Sequence, residues 1–302
     1  MERVVLGCGN FGGIGSAPEY FGRGESDDEA FAIMTAAWEL GVRSFDTADA
    51  YGGGRSENAI GRWLGETGNR PAITTKTFNP MAAGADRGLS RTRIVRQLES
   101  SLDRLGVDRV QLYLAHEFDP DTPLEETLRT FDSLVETGLI DAWGVSNFNG
   151  DQLRAALEIA RPSVVQNSYS LLARGDERDV IPLCVEFAIA YEAFSPLAGG
   201  WLTGKYRRRE DPPPGSRMTL RSEPYEHFRD DRVYDGLEAL EAMAVDRNVD
   251  SATLALAWLL AQPHVARIVV GPRRPQHLAP VVAAHDSGLL PDEAAELADL
   301  FS

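Results

Sequence analysis

Apolar positions along the chain alternate between two rhythms. Short runs rich in Val, Ile, Phe and Tyr read as strands, and stretches with apolar residues every three to four positions read as helices. Strands are expected at 4–7, 42–47, 72–75, 110–115, 142–146, 163–167, 188–194 and 267–270. Helices are expected at 27–40, 56–64, 90–105, 124–137, 152–160 and 176–187, then at 234–247 and 252–262 before the last strand. Ser26 or Asp27 can cap the first helix, and Gly41, Gly106 and Gly138 mark helix ends. Eight strands with intervening helices predict an α/β fold, a closed parallel (β/α)8 barrel, with a long loop before the last helices. An open doubly wound sheet is the rival. The barrel is favoured because polar candidates emerge from many strand ends, and no linker rich in Pro, Gly or Ser divides the chain. One domain over 1–302 is expected.

The exception to the alternation is 206–231, which holds Arg207, Arg208 and Arg209, the run Pro212-Pro213-Pro214-Gly215, and then Met218, Tyr225 and Phe228. A loop this long in a compact fold is a binding loop or a solvated insertion. Its place after a strand favours a lid over a site.

Composition narrows the function. With 302 residues and 43% hydrophobic content the chain can bury a large core. A formal net charge of −16 argues against nucleic acid and against an anionic membrane as partner. Two cysteines, Cys8 and Cys184, are too few for a disulfide framework, and no Cys/His spacing suggests a metal site. No signal-peptide core or apolar run of membrane-spanning length is seen, so a cytoplasmic location is expected.

The candidate chemistry lies at strand ends. Asp46, Lys76 and His116 end or directly follow strand-like runs, and Tyr51 sits in the loop just after Asp46. A free phenol has a pKa of ~10, and an adjacent ammonium lowers it. Lys76 can supply that charge, Asp46 can hold Lys76, and His116 can donate to a carbonyl oxygen or relay a proton. Together they can protonate an oxygen that gains charge as a carbonyl is reduced. Alternatively Asp46 and Lys76 form only a buried ion pair, and Tyr51 is a turn residue before Gly52-Gly53-Gly54. Gly7-Cys8-Gly9-Asn10-Phe11-Gly12 matches a dinucleotide-binding pattern, but the loop composition Gly13-Ile14-Gly15-Ser16-Ala17-Pro18 follows where a helix is needed.

At these residues the chain resembles the aldo-keto reductases. The stretch from Phe45 to Gly52, Thr75-Lys76, and Tyr113 to His116 are similar to that family's catalytic segments. Gly144 to Phe148, Gln166-Asn167, and Phe194 to Tyr206 are similar to its nicotinamide and pyrophosphate segments. The resemblance spans about the whole chain, with the motifs in order. It implies a carbonyl reductase or alcohol dehydrogenase that uses NADP(H) without a dinucleotide-binding fold, NAD(H) being possible. Tyr51 becomes the general acid, Lys76 lowers its pKa, Asp46 pairs with Lys76, and His116 orients the carbonyl. Ser146, Asn147 and Gln166 hold the carboxamide, and Phe194 stacks on the ring. Ser195, Pro196, Leu197, Gly199, Leu202, Gly204 and Lys205 continue the cofactor site.

At the adenosine end Gly271 and Arg273 or Arg274 are expected to bind phosphates, two arginines being suited to a 2′-phosphate. His277 and Pro280-Val281 depart from the family pattern there. Glu117-Phe118 departs from it after the histidine. Phe11, Phe118 and Trp201 are expected to line the pocket of a small-molecule carbonyl substrate. Oligomeric state is left open. Two rival functions remain: a non-catalytic NADP(H)-binding, redox-sensing subunit of a larger assembly, and a barrel lyase or isomerase using Lys76 as a Schiff base.

Overall fold

In the computed structural model, which describes residues 1–301, eight parallel strands close into a barrel in chain order. They are β1 (Val4–Gly7), β2 (Ser44–Asp46), β3 (Ala72–Thr77), β4 (Val110–Ala115), β5 (Ile140–Ser146), β6 (Val164–Ser168), β7 (Ala190–Phe194) and β8 (Val265–Val270). The first strand pairs with the last, Leu6 lying opposite Val270. The guanidinium of Arg3 reinforces this seam from below, donating to the carbonyls of Leu260, Gln262, Val265 and Ala266.

The helices of the outer ring start where caps allow. α1 (Asp27–Glu39) opens with a capping box: Glu29 N–H donates to Ser26 Oγ, and Ser26 N–H to the Glu29 carboxylate at 2.8 Å. α2 (Arg55–Thr67), α3 (Arg91–Leu105) and α4 (Leu124–Glu136) follow, each burying one apolar stripe. α5 (Gly150–Leu157) repeats the capping box with Asn149 and Gln152. α6 (Val180–Glu186) starts later than its apolar pattern suggests, because the Asp179 side chain accepts from Val180 N–H and fixes the start there.

Three features lie outside the simple alternation. The 206–231 segment is irregular up to 216, with turns and bends alone, and then folds as α7 (Arg217–Leu220) and a 3₁₀ turn (Glu223–Phe228). Met218 and Phe228 are buried, and Phe228 meets the indole of Trp201 edge-on. Each such anchor contributes on the order of 1.5–3 kcal/mol, enough to fold the segment down. Arg208 ties it to the next helix through Asp231, Asp235 and Glu238. That helix, α8 (Asp231–Asp246), precedes α9 (Ser251–Ala261), whose residues 251–259 are all buried. α9 is buried on every face because α10 (Ala279–Ser287) and α11 (Pro291–Asp299) pack over it from outside.

The barrel interior positions the site. Alternation places Asp46, Lys76, Leu114, Gly144, Ser146, Gln166, Glu192 and Arg267 on inward-facing register positions. Leu112, Leu114 and Val164 fill a small apolar plug of their own. Above it the interior turns polar, at the C-terminal ends of the strands where barrel active sites form.

Candidate active site

Lys76, near the end of β3, is almost completely buried, and its charge is met by protein. Its Nζ donates to Asp46 Oδ1 at 2.5 Å, to the Thr47 carbonyl at 2.9 Å and toward Tyr51 Oη at 3.5 Å. Tyr51 opens a short 3₁₀ turn after β2, which brings its ring back over the barrel mouth. The Tyr51 hydroxyl also lies 3.5 Å from His116 Nε2. The other imidazole nitrogen, Nδ1, faces Asn79 Nδ2 at 3.5 Å. With the Asn79 amide nitrogen as the donor, Nδ1 is assigned as the acceptor and the proton of the neutral ring to Nε2. In that tautomer Tyr51 Oη is approached by two donors, Lys76 Nζ and His116 Nε2, each at 3.5 Å.

Burial sets the protonation states of Tyr51 and His116, and charge sets that of Lys76. Burial pushes the Tyr51 phenol above its ordinary value; Lys76 pulls it down as the sequence implied, but does not win. Tyr51 is therefore a neutral phenol at neutral pH. Burial pulls Lys76 down, but Asp46 and Tyr51 outweigh it and hold the ammonium above its ordinary value. His116 is held well below its ordinary value by burial and by the Lys76 charge, and so is neutral.

Below these four residues a polar chain crosses the barrel. Gln166 Nε2 donates to Asp46 Oδ2 at 2.8 Å and to Glu192 Oε2 at 3.0 Å. Glu192, 1% exposed, pairs on its other oxygen with Arg267. Asn79, Glu192 and Arg267 are not among the residues expected from sequence. A signal existed for Glu192, two residues before Phe194 on one strand and so on the same face. Arg267, in an otherwise apolar strand, was a second.

The expected cofactor positions form a track around the mouth. Ser146 ends β5, and Asn147 follows it in the left-handed region with φ 59°. Asn147 Nδ2 donates to the His116 carbonyl at 2.9 Å and to Ser146 Oγ at 3.2 Å. Phe194 ends β7 with its ring half-buried, and Ser195 and Ala198 again have positive φ. Non-glycine residues held there cost roughly 1–2 kcal/mol each, and such strain gathers at ligand-binding segments. Pro196 and Leu197 lead into a Gly199-Gly200 turn, where any Cβ on Gly200 would run into the Lys205 ammonium. Gly204 ends this turn, also at positive φ.

At the far end of the track the cations Lys205, Arg217, Arg273 and Arg274 gather. Lys205 and Arg217 are pulled below their ordinary values, first by burial, with neighbouring cations adding to it. Arg217, on α7, was missed because a loop of Pro, Gly and Arg carries no periodic signal. Arg273 is already engaged: its Nε meets Glu25 at 2.6 Å and its NH1 the Gly215 carbonyl at 2.6 Å. Among the described residues Lys205 and Arg274 make no ion pair. Gly271 faces open space, with only the Gly7 carbonyl oxygen near the place a side chain would occupy. A chain of strongly negative charge has thus collected unneutralised cations at one place, and that donor set fits a phosphate-bearing cofactor.

Three expected contacts lie elsewhere. Trp201 is 1% exposed and ringed by Tyr206, Phe228 and Tyr234, so it supports the folded-down segment instead of lining the substrate pocket. Leu202 is fully buried, and Phe11 is buried at the β1–α1 loop, where its backbone bridges Glu25. Phe118 is half-buried at the rim, edge-on to Phe148. Among the described residues no cluster of His, Cys, Asp and Glu is arranged to hold a metal ion, and no helix is long and apolar enough to cross a membrane.

A closed eight-stranded barrel with a Tyr-Lys-Asp-His group at its mouth defines a class of barrel oxidoreductases. The model of the aldo/keto reductase family matches residues 3–301, and the chain belongs to that family. It is 33% identical to the uncharacterised oxidoreductase YrpG of Bacillus subtilis, covering 100% of this chain and 92% of that protein. It is 32% identical to a probable voltage-gated potassium channel subunit beta of Oryza sativa, over 88% of this chain and 84% of that protein. It is 33% identical to the aldo-keto reductase yakc [NADP(+)] of Schizosaccharomyces pombe, over 84% and 77% of the two chains. Among solved structures, the glycerol dehydrogenase AKR11B4 from Gluconobacter oxydans superposes with a TM-score of 0.84 at 28% identity, covering 99% of this chain and 90% of that one.

Proposed function

We propose that the protein reduces the carbonyl of a small aldehyde or ketone to an alcohol with NADPH, and that Tyr51 is the general acid. The observation that carries this reading is the Tyr51 hydroxyl held 3.5 Å from both Lys76 Nζ and His116 Nε2. The cofactor, when bound, supplies a hydride to the carbonyl carbon. Ser146, Asn147 and Gln166 hold its carboxamide, Phe194 covers its ring, and Lys205, Arg217 and Arg274 hold its phosphates. His116, neutral with its proton on Nε2, donates to the substrate oxygen and fixes the carbonyl next to Tyr51. As the oxygen gains charge, Tyr51 gives it a proton, and the Lys76 ammonium stabilises the phenolate that forms. Solvent returns a proton to Tyr51 after the alcohol leaves.

A Schiff base at Lys76 is disfavoured, because an ammonium held above its ordinary value by Asp46 is not a nucleophile. A redox-sensing subunit has the channel-subunit relative in its favour. Fluorescence titration with NADPH and NADH, then a panel of aldehydes and ketones with the preferred cofactor, decides between them. Tight NADPH binding with turnover supports the reductase. Tight binding with no turnover of any carbonyl favours the subunit.

A further inference from the structure

Glu192 has no role in the chemistry above, yet its placement is unusual. It is a carboxylate inside the barrel, 1% exposed, and Arg267 beside it is a cation in an otherwise apolar strand. The two form one ion pair, and Asp46 and Lys76 form another. Between the pairs stands Gln166. Its single amide nitrogen gives one hydrogen to Asp46 Oδ2 at 2.8 Å and the other to Glu192 Oε2 at 3.0 Å. Each carboxylate is anchored by its own cation through the opposite oxygen.

This arrangement admits one orientation of the amide. Turned over, Gln166 would place its carbonyl oxygen against two carboxylates, which repel it and cannot donate. Hydrogen bonds to charged groups are shorter and stronger than those between neutral groups, so two of them hold the amide firmly. Both amide hydrogens are consumed inside the barrel. Gln166 Oε1 receives no hydrogen bond from any described residue. It lies next in register to Ser146, and Asn147 N–H already donates to the Gln166 backbone carbonyl.

We infer that Glu192, held by Arg267, is a positioning residue that turns Gln166 so that it offers the nicotinamide carboxamide an acceptor and no donor. This rests on the cofactor assignment proposed above and goes beyond it. Gln166 then accepts from the carboxamide N–H₂, which fixes which way round the amide of the ring lies and therefore which ring face meets the substrate. With Glu192 neutralised, one of the two carboxylates that fix the amide is lost, and Gln166 can turn over and present its N–H₂ to the carboxamide, so the site no longer reads the amide in one sense.

The test compares binding of NADP⁺ with binding of its 3-acetylpyridine analogue, which carries a methyl ketone and has no N–H to donate. Affinities are read by quenching of protein fluorescence in the full-length protein, with no turnover needed. The wild type is expected to prefer NADP⁺ by about tenfold, the equivalent of one hydrogen bond of ~1.4 kcal/mol. Glu192→Gln is expected to reduce that preference to about threefold or less. The double variant Glu192→Leu with Arg267→Met removes both charges together, avoids a stranded buried ion, and is expected to lose the preference as well. A variant that folds, binds NADP⁺ and keeps the full wild-type preference overturns the role of Glu192. Equal binding of both dinucleotides by the wild type also overturns it, because Gln166 is then not reading the carboxamide. Failure of the wild type to bind either dinucleotide overturns the cofactor assignment itself.

Discussion

The Tyr51 and His116 rings meet edge to face, 5.5 Å between centroids at 76°, with the phenol oxygen 3.5 Å from Nε2. The contact joins residues from two different strand ends, and it aims two donors, His116 and Lys76, at one oxygen. Removing that oxygen is the cleanest test of the proposed acid. Tyr51→Phe is expected to lower kcat for carbonyl reduction by ~10²–10⁴ while NADPH affinity stays within about twofold. Retention of full turnover by the variant would place the proton source elsewhere.

Protonation predicts opposite pH profiles for the two directions. Tyr51 is raised above its ordinary value, first by burial, so its acid form persists through neutrality and is lost only at high pH. His116 is lowered and stays neutral over the same range. Reduction is therefore expected to be nearly flat between pH 6 and 8. Oxidation of the alcohol needs the phenolate and is expected to rise with pH across and beyond this window. Initial rates in both directions check this; a reduction rate that falls as a group near pH 6.5 loses its proton would assign the acid to histidine.

The Asp46–Lys76 pair separates stability from activity. Lys76→Met leaves Asp46 buried without its cation, at an expected cost of ~3–5 kcal/mol in chemical denaturation. Adding Asp46→Leu removes the stranded carboxylate, and much of that stability is expected to return. Activity is not expected to return with it, because no ammonium then faces Tyr51. Recovery of turnover in the double variant would show that Lys76 serves only to fold the barrel.

Arg273 and Arg274, expected from sequence to act alike, are expected to separate in binding assays. Arg273 is engaged by Glu25 and the Gly215 carbonyl, whereas Arg274 has no ion pair among the described residues. Arg274→Ala is expected to weaken NADPH binding by about tenfold and leave NADH binding almost unchanged, as loss of one phosphate contact requires. Arg273→Ala strands Glu25 and is expected to lower the melting temperature as well as both affinities. Equal loss of both cofactors on Arg274→Ala would remove it from the 2′-phosphate.

Asp49 supplies a stability signal away from the reaction. It is buried, accepts from Thr77 Oγ1 at 2.7 Å, and is pushed up to about 7 by burial and by the Glu57 charge. Its unfolded value is ~3.9, so between these values the folded state holds a proton that the unfolded state has released. Its contribution is complete below about pH 4 and is lost as pH rises toward 7. Asp49→Asn is expected to raise the melting temperature relative to wild type at pH 8, with the difference vanishing near pH 4. A difference that is constant with pH would show that Asp49 does not titrate in this way.

The barrel was legible because each strand carries its own apolar run and each outer helix its own stripe. Legibility failed where that logic fails. α9 has no polar face to mark it as outer, and α10 and α11 that cover it went unread. The strand around Asp46 is three residues, shorter than its apolar run, because Thr47 already turns into the loop that carries Tyr51. The candidate catalytic residues could be found at strand ends, and Gln166 with them, but the chain of contacts from Asp46 through Gln166 to Glu192 and Arg267 could not, since these side chains meet only after the barrel closes. Trp201 was misplaced for a related reason: a tryptophan in a glycine-rich turn looks like a pocket wall until Phe228 and Tyr234 cover it.

The seam between β1 and β8, stapled by Arg3, has a consequence for how the molecule comes into being. Asp46, Tyr51, Lys76 and His116 are all synthesised before the chain is half made, yet the strand that closes the ring arrives only at Val265–Val270. Until then β1 and β7 present bare edges, the features most prone to pair with a neighbouring chain. A sheet that lacks Val265–Val270 would therefore hold all four candidate catalytic side chains and still leave two strand edges unpaired, so the last strand protects the barrel while adding nothing to that group.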